Sequence, residues 1–514
     1  MKIKYITYVL LSTVLTLGSC SDDYLDTYPT DSTSPNTVFK TTKNVEMAVN
    51  GLARIMTTQH IGEQGFNGEG TIKLFYGEYT GNNFRRDQTS ISNLMNGLLF
   101  DNNSSTYTYY PWHYYYLLIT NANMIIANVD GADGPINEKK YLKAQALTYR
   151  AYSYTMLLQL YGNRWQDSNN GEGKSVVLRL TPDDPKALPL SSQKVVYEQI
   201  YKDLDEAIKL FQESNYKRGT TNYLIDASVS HAVYARAAIT KQDYTVALKE
   251  AGLAKKDYKL MGTAAYKEGF ATPNSEWIWS SYGALDETLH YFSYQAYIAY
   301  NSSSSIVRTR PTRISKEFYE TIPTTDLRRE LFLNPTGYDA KTYNATTGEA
   351  DSKSPMDVET RTKYPKLLSN AKVAAFMQFK IAANEMIGVG HLNHFRASEM
   401  YLIEAEALHF LGRDEESAKV LEDLTKGSGR DASYTCTKSG KDLFNEIVKY
   451  RGIELWGEGF DWFDRKRWSI EISRKNVKEG GNYNVASAVT IAPTANNKWT
   501  WRIPQKETDY NPNI

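Results

Sequence analysis

Between Ser192 and Phe211 the apolar residues Val195, Val196, Ile200, Leu204, Ala207, Ile208 and Phe211 recur three or four positions apart, which predicts one helix with Ser192 at its cap. The same spacing, built from Ala, Leu and Tyr, runs from Lys143 to a stop at Gly162-Asn163. Ala227–Thr240 and Tyr244–Lys255 read as two antiparallel helices joined by Lys241-Gln242-Asp243. A second such pair lies downstream: Phe395 to Phe410, a turn over Leu411-Gly412-Arg413-Asp414, then Glu415 to Leu424.

In both pairs an alanine follows the turn aspartate by four residues, Asp243 to Ala247 and Asp414 to Ala418, and a small side chain there lets two helices approach closely. The pairs are similar to tetratricopeptide hairpins, although they are not in tandem. Three stretches break the helical pattern: 62–106, 283–313 and 334–365, rich in Gly, Ser, Thr, Asn and Tyr. Loops of that length are usually functional or mobile. Glu276-Trp277-Ile278-Trp279-Ser280 is a brief strand signal before the second of them. The predicted fold is therefore mostly α: tetratricopeptide-like helical hairpins forming a superhelical scaffold, with long irregular inserts and a few short strands.

The N-terminus carries an address. Lys2 and Lys4, the short apolar core Tyr8 to Leu15, and the small pair Gly18-Ser19 read as a secretory signal too short to span a bilayer. Leu17-Gly18-Ser19-Cys20 resembles a bacterial lipobox, which would make Cys20 the acylated first residue of the processed chain. Acyl chains anchor a protein without a transmembrane helix, at about 0.8 kcal/mol per buried CH₂. The acidic run Ser21 to Asp26 then resembles the export signal of surface-exposed Bacteroidetes lipoproteins. The expected organisation is a signal peptide over 1–19, acylated cysteine and tether over 20–36, an N-terminal helical region over 37–265 and a C-terminal region over 266–514.

Charge excludes one class of partner. The 514 residues hold 59 Lys+Arg and 59 Asp+Glu, so no basic excess points to nucleic acid. After loss of the signal only Cys436 accompanies Cys20, which leaves no pair of free thiols for an internal disulfide. Tyrosine, at 39, outnumbers Phe and Trp together, and a ring with a polar tip suits wet, stacking surfaces.

Catalytic motifs are weak. Gly171-Glu172-Gly173-Lys174-Ser175 has Ser168 where a phosphate loop needs its first glycine, and neither Gly-x-Ser-x-Gly nor His-Glu-x-x-His occurs. Glu-x-x-His occurs twice, Glu287 with His290 and Glu406 with His409, a spacing used by di-metal carboxylate bundles. The plainer reading is a surface pair and a helix-end histidine, so no metal and no cofactor is expected. His391 and His394 likewise read as the polar entry to the next helix. A glycosidase carboxylate pair stays open as an alternative, because its separation is spatial. The aromatic inserts say more: Phe75, Tyr76, Tyr79 and Phe84 alternate with Glu78, Asn82, Asn83 and Arg85, and Tyr282, Tyr291, Phe292, Tyr294, Tyr297 and Tyr300 crowd the second insert. Flat rings beside Asn, Asp or Arg suit sugars; the competing reading is that most of these rings pack the inserts onto the scaffold.

The C-terminal half carries a resemblance. His394 to Ala407, Tyr450-Arg451-Gly452-Ile453-Glu454-Leu455-Trp456-Gly457-Glu458-Gly459, Trp462 to Trp468, and the closing Arg502-Ile503-Pro504 and Asn511-Pro512-Asn513 resemble segments of the SusD/RagB family of outer-membrane nutrient-binding lipoproteins. Trp112 to Tyr116 and Arg150-Ala151-Tyr152 look like its N-terminal helices. Asp461 and Arg465 depart from the family pattern, which often has a basic residue and a leucine there. Arg396, Glu399, Arg451, Glu454, Glu458, Asp464 and Arg467 read as scaffold ion pairs rather than a site. The resemblance implies a non-enzymatic lid over a SusC-like TonB-dependent barrel, capturing oligosaccharide or, in some members, peptide. It implies ligand residues in variable loops; by position these are Tyr79, Phe84, Arg85, Tyr282, Tyr291 and Tyr294. A purely structural lid is the remaining alternative.

Overall fold

The computed structural model describes residues 38–182, 186–285, 292–385, 387–495 and 499–514. Cys20, the signal and the tether lie outside them, as do Glu287, His290 and Tyr291. Among the described residues no helix is long and apolar enough to cross a membrane.

The longer helices are α1 (Thr42–Ile55), α2 (Thr106–Asn128), α3 (Ile136–Tyr161), α4 (Gln193–Ser214), α5 (Ala227–Thr240), α6 (Tyr244–Lys255), α7 (Ala397–Phe410), α8 (Asp414–Thr425), α9 (Gly440–Glu454) and α10 (Asp461–Trp468). The α5–α6 bounds coincide with those read from periodicity, and the hairpin turn holds Gln242 in the left-handed region at φ 61°. Gly412 takes the same conformation in the α7–α8 turn, and Ala247 and Ala418 are both buried. Helix α6 packs on α7, so the two hairpins stack as one layer. Helix α3 is longer than predicted and buried on all sides from Ala144 to Tyr161, as its lack of a polar face requires.

Three sequence expectations change. Ser192 does occupy the α4 N-cap, but its side chain accepts no capping bond. Leu392–Arg396 is a strand, paired with Trp277–Ser281, so His394 lies inside a ribbon rather than at a helix entry. The first insert is not a loop: Gly68–Thr71 is helical, continues as a π-helix over Ile72–Glu78, and is buried throughout. Glycine permits that burial, since a Cβ on Gly77 would stand 2.3 Å from the Gly459 carbonyl oxygen.

Tyrosine hydroxyls satisfy this crowded interior. Tyr114, Tyr115 and Tyr152 all donate to the buried Glu69 carboxyl, at 3.1, 3.1 and 2.6 Å. Pro111 lies inside α2 and has no N–H for the Tyr107 carbonyl; the Tyr76 hydroxyl donates to that oxygen instead, at 2.6 Å. One residue on, the Tyr161 hydroxyl is inserted into the ladder, accepting from Trp112 N and donating to Thr108 O at 3.0 and 2.6 Å. Tyr161→Phe should therefore strand both groups and destabilise the fold by about 1–3 kcal/mol, read from the urea midpoint. A loss below a few tenths of a kcal/mol would show that the two groups re-pair directly.

A second polar knot ties the C-terminal half. Arg396 donates to Glu276, Glu454 and Glu458 at 2.6, 2.7 and 2.8 Å. Arg430 joins Glu276 and Glu454, Arg328 joins Asp326 and Glu454, and Lys380 joins Glu458, so four cations meet four carboxylates with hardly any water contact. Nearby, Arg467 bridges Asp464 and Glu406, and Arg451 also holds Asp464. Glu406, one of the Glu-x-x-His carboxylates, is thus spent on a guanidinium, while His409 bonds Asp414 at 2.8 Å. Asp461 and Arg465, the two departures from the family pattern, pair with each other at 2.8 Å.

Glu78 lies beside this knot. Burial and the Asp461 charge push its carboxyl up to about 8, against the Gly459 and Phe460 N–H groups that donate to it. A folded-state value above the unfolded one favours folding at low pH, and the benefit fades as pH rises from about 4.5 to about 8. Over that window the stability of the native chain should fall relative to a Glu78→Gln variant. Parallel pH profiles of urea unfolding would disprove the protonated carboxyl.

Beside the third insert Tyr300, Met356, Leu367, Ala371, Val373, Met377, Phe379 and Ala382 form a small hydrophobic cluster apart from the main core; of these residues the insert itself contributes Met356. The helix Pro355–Lys363 lies within the insert.

Candidate functional site

The two-residue ribbon Phe84–Arg85 with Arg313–Ile314 brings the first insert against the end of the second. Its polar side forms one wall of a groove of about 420 Å³, where residues 85–89, 309–310, 346–349 with 372, and 476–485 converge. Arg85 and Asp87 lie at its floor, and Arg313, buried outside the lining, completes an ion-pair triad with them. Asp87 accepts from Arg85 and Arg313, each at 3.0 Å, and both guanidiniums are buried. Burial alone would raise the Asp87 carboxyl, but the Arg313 and Arg85 charges hold it below its ordinary range. Arg313 pays for its position: burial and the neighbouring Arg85 charge push it down to about 10. Arg313 also donates to the Thr347 carbonyl, which locks the third insert onto the triad.

Around the floor stand Glu349 and Lys372, paired at 2.7 Å and partly exposed, with Arg310, Thr346, Asn476 and Asn484. The Asn484 amide reaches Asp87 at 3.5 Å. Such a surface offers many donors and acceptors in fixed positions, and it matches a ligand dense in hydroxyls. Tyr483, whose ring also borders the groove, is buried and donates to Asn82 O at 2.7 Å.

Of the five described residues among the six proposed from sequence, Arg85 alone reaches this groove. Tyr79 and Phe84 are interior, at 1% and 0% exposure: Tyr79, at the end of the buried π-helix, packs against Phe75, and Phe84, on the ribbon, stacks on Trp456. Tyr294 is buried, with its hydroxyl on the Gly457 carbonyl. Their rings serve packing. Tyr282 is 45% exposed, edge-on to Tyr223 and His391, and lines a different cleft with Met56, Gly283 and Gly390. Tyr291 lies outside the described residues. Sequence reading missed Asp87, Arg313, Glu349, Lys372 and Asn484. The one local signal was the run Arg85-Arg86-Asp87, which sets two cations against a carboxylate within the first predicted insert.

Comparison with known proteins follows the same outline. A profile of the SusD family matches residues 238–514, and a second, described as starch-binding and associating with the outer membrane, matches residues 23–239. The SusD-like protein P2 of Formosa agariphila is 24% identical over 501 residues, 91% of each chain. Among solved structures, a SusD-like carbohydrate binding protein from Bacteroides vulgatus superposes with a TM-score of 0.75 at 21% identity, covering 92% of this chain and 97% of that one. A SusD superfamily protein from Bacteroides thetaiotaomicron gives 0.72 at 21% identity, covering 92% and 99%. With its paired helices, its inserts and matches that run from residue 23 to the last residue, this chain belongs to the SusD family.

Proposed function

We propose that the protein captures oligosaccharides at the outer membrane without cleaving them, held by acylated Cys20 on the cell exterior, and passes them to a SusC-like TonB-dependent barrel. The observation that carries the capture reading is the groove itself: four distant segments converge on a floor braced by the Arg85–Asp87–Arg313 triad, under a rim of hydroxyls, amides and one exposed ion pair. A glycosidase needs one carboxyl kept protonated, and Asp87 is held the opposite way by two guanidiniums. Glu349 is tied to Lys372. The starch-binding and outer-membrane description of the matching profile supports both halves of the reading, as does the carbohydrate-binding name of the Bacteroides vulgatus neighbour.

The test is affinity electrophoresis and calorimetry of residues 21–514 against a broad glycan panel, with product analysis of the same samples. Retardation by one glycan class, with the glycan recovered intact, is the expected result. Cleavage products would replace capture with catalysis; no retardation by any glycan would point to peptide cargo or a lid without cargo. Co-purification of the acylated chain with a barrel tests the delivery step.

A further inference from the structure

The third insert walls a second cleft, of about 430 Å³, that shares no residue with the Arg85 groove and lies within the size range of small-molecule sites. We propose that this cleft holds a sugar unit of a neutral glycan, as a second contact point for a chain captured in the Arg85 groove; the proposal rests on the capture reading above.

Three observations on the cleft point to that ligand. Its platform is built in advance: Tyr364 stacks on Phe379 with centroids 3.6 Å apart and planes 2° from parallel, and Tyr300 meets both rings edge-on. Tyr364 is only partly buried and borders the cleft, so an aromatic surface is presented to an apolar sugar face without a rotamer to fix. Next to it is Thr360, 3% exposed, whose Oγ1 meets no hydrogen-bond partner among the described residues. A buried hydroxyl in that state at a cleft wall calls for a partner from outside.

Charge selects the class. The lining holds two cations, Arg329 and Lys363, and two carboxylates, Glu330 and Glu359. Arg329 lies over the Tyr319 ring and donates to the Tyr319 and Ile322 carbonyls, Glu330 is paired with Lys267, and Glu359 accepts from the Tyr338 hydroxyl at 2.7 Å. The balance is zero and all four charges are already engaged, Lys363 lying over the Tyr364 ring at 5.4 Å, so the cleft offers no net field to a uronate or sulfate. A neutral polyol, stacked on Tyr364 and hydrogen-bonded to Thr360, fits both the ring and the rim. Because one insert walls both clefts, a chain long enough to reach from one to the other would gain affinity by bivalent attachment, and a disaccharide would not.

The full-length chain is tested with maltohexaose, cellohexaose, xylohexaose, mannohexaose and hexagalacturonate, and with the matching disaccharides, by calorimetry and peptide-resolved hydrogen exchange. At least one neutral hexasaccharide should slow exchange over residues 334–338 and 359–364 as well as in the Arg85 groove. Asn334→Ala with Lys363→Ala, both on exposed side chains, should keep the melting temperature and abolish that slowing. It should weaken the hexasaccharide roughly five- to tenfold and leave disaccharide affinity unchanged. Tyr364→Ala should do the same more strongly; should it unfold the insert, the surface variant decides. Slowing confined to residues 85–89 and 476–485 would overturn the second contact point and leave capture standing. Protection of the cleft by hexagalacturonate alone would overturn the neutral class, and no binding of any probe would overturn both readings.

Discussion

Replacing Arg396 with methionine should cost about 3–5 kcal/mol of folding stability, the loss expected when one member of a buried charge network is removed and its partners stay behind. Arg396 has three carboxylates within 2.8 Å, and Glu276 and Glu454 have no exposed side-chain surface at all. Methionine fills similar volume, so the penalty is electrostatic: Glu276, Glu454 and Glu458 are left to share Lys380, Arg430 and Arg328. The urea midpoint should drop with the slope unchanged. Adding Glu458→Gln to Arg396→Met should cost less than the two single losses combined, because the neutral amide no longer needs the missing cation. A single-variant loss under about 1 kcal/mol would mean that water enters the knot and solvates it, and the network would then not be the clamp described above.

The second large effect belongs to binding. Asp87→Ala should weaken the captured glycan by about two orders of magnitude, corresponding to roughly 2–3 kcal/mol. Its two oxygens hold Arg85 and Arg313 in position, and without them two like charges face each other at the groove floor. Lys372→Ala is the informative companion. Lys372 is half exposed on the rim, so its loss should leave the melting temperature in place and weaken the glycan only a few-fold. If Asp87→Ala bound the glycan as tightly as the native chain, the groove would lose its claim to be the site, and the cleft beside Tyr282 would take its place.

Much of the scaffold was legible because helices announce themselves locally. The 3.6-residue period of α4–α6 and the Asp–Ala spacing of the two turns are properties of adjacent residues, and they reappear as buried stripes and close crossings, although Val195 of the expected α4 stripe stands exposed in the first turn. The family's Arg and Glu residues were legible as ion pairs for a similar reason: an isolated buried charge is so costly that several of each sign imply one another. The candidate groove was not legible, because its ion-pair triad joins Asp87 to Arg313 across more than two hundred residues and no local period links them. The aromatic inserts misled in a specific way. Tyr79, Phe84 and Tyr294 look like sugar platforms in Gly- and Asn-rich stretches, yet the first insert is turned inward by the π-helix over Ile72–Glu78, and Tyr294 is buried with its hydroxyl on the Gly457 carbonyl. Tyrosine abundance had a different cause from the one composition suggested: hydroxyls repair a proline-broken helix and surround a buried glutamate.

The small hydrophobic cluster beside the third insert bears on how that insert could be exchanged. Met356 and Leu367 pack in a cluster with Tyr300, Val373, Met377 and Phe379 that stands apart from the core of the helical hairpins. A transplant of residues 334–372 from a relative of different specificity would therefore have to keep that apolar seam, while leaving the hairpins and the Arg396 knot untouched, and would replace one wall of each cleft in one step. Under the capture reading, recombination at the two ends of one insert would then be a shorter route to a new ligand than substitution across the chain.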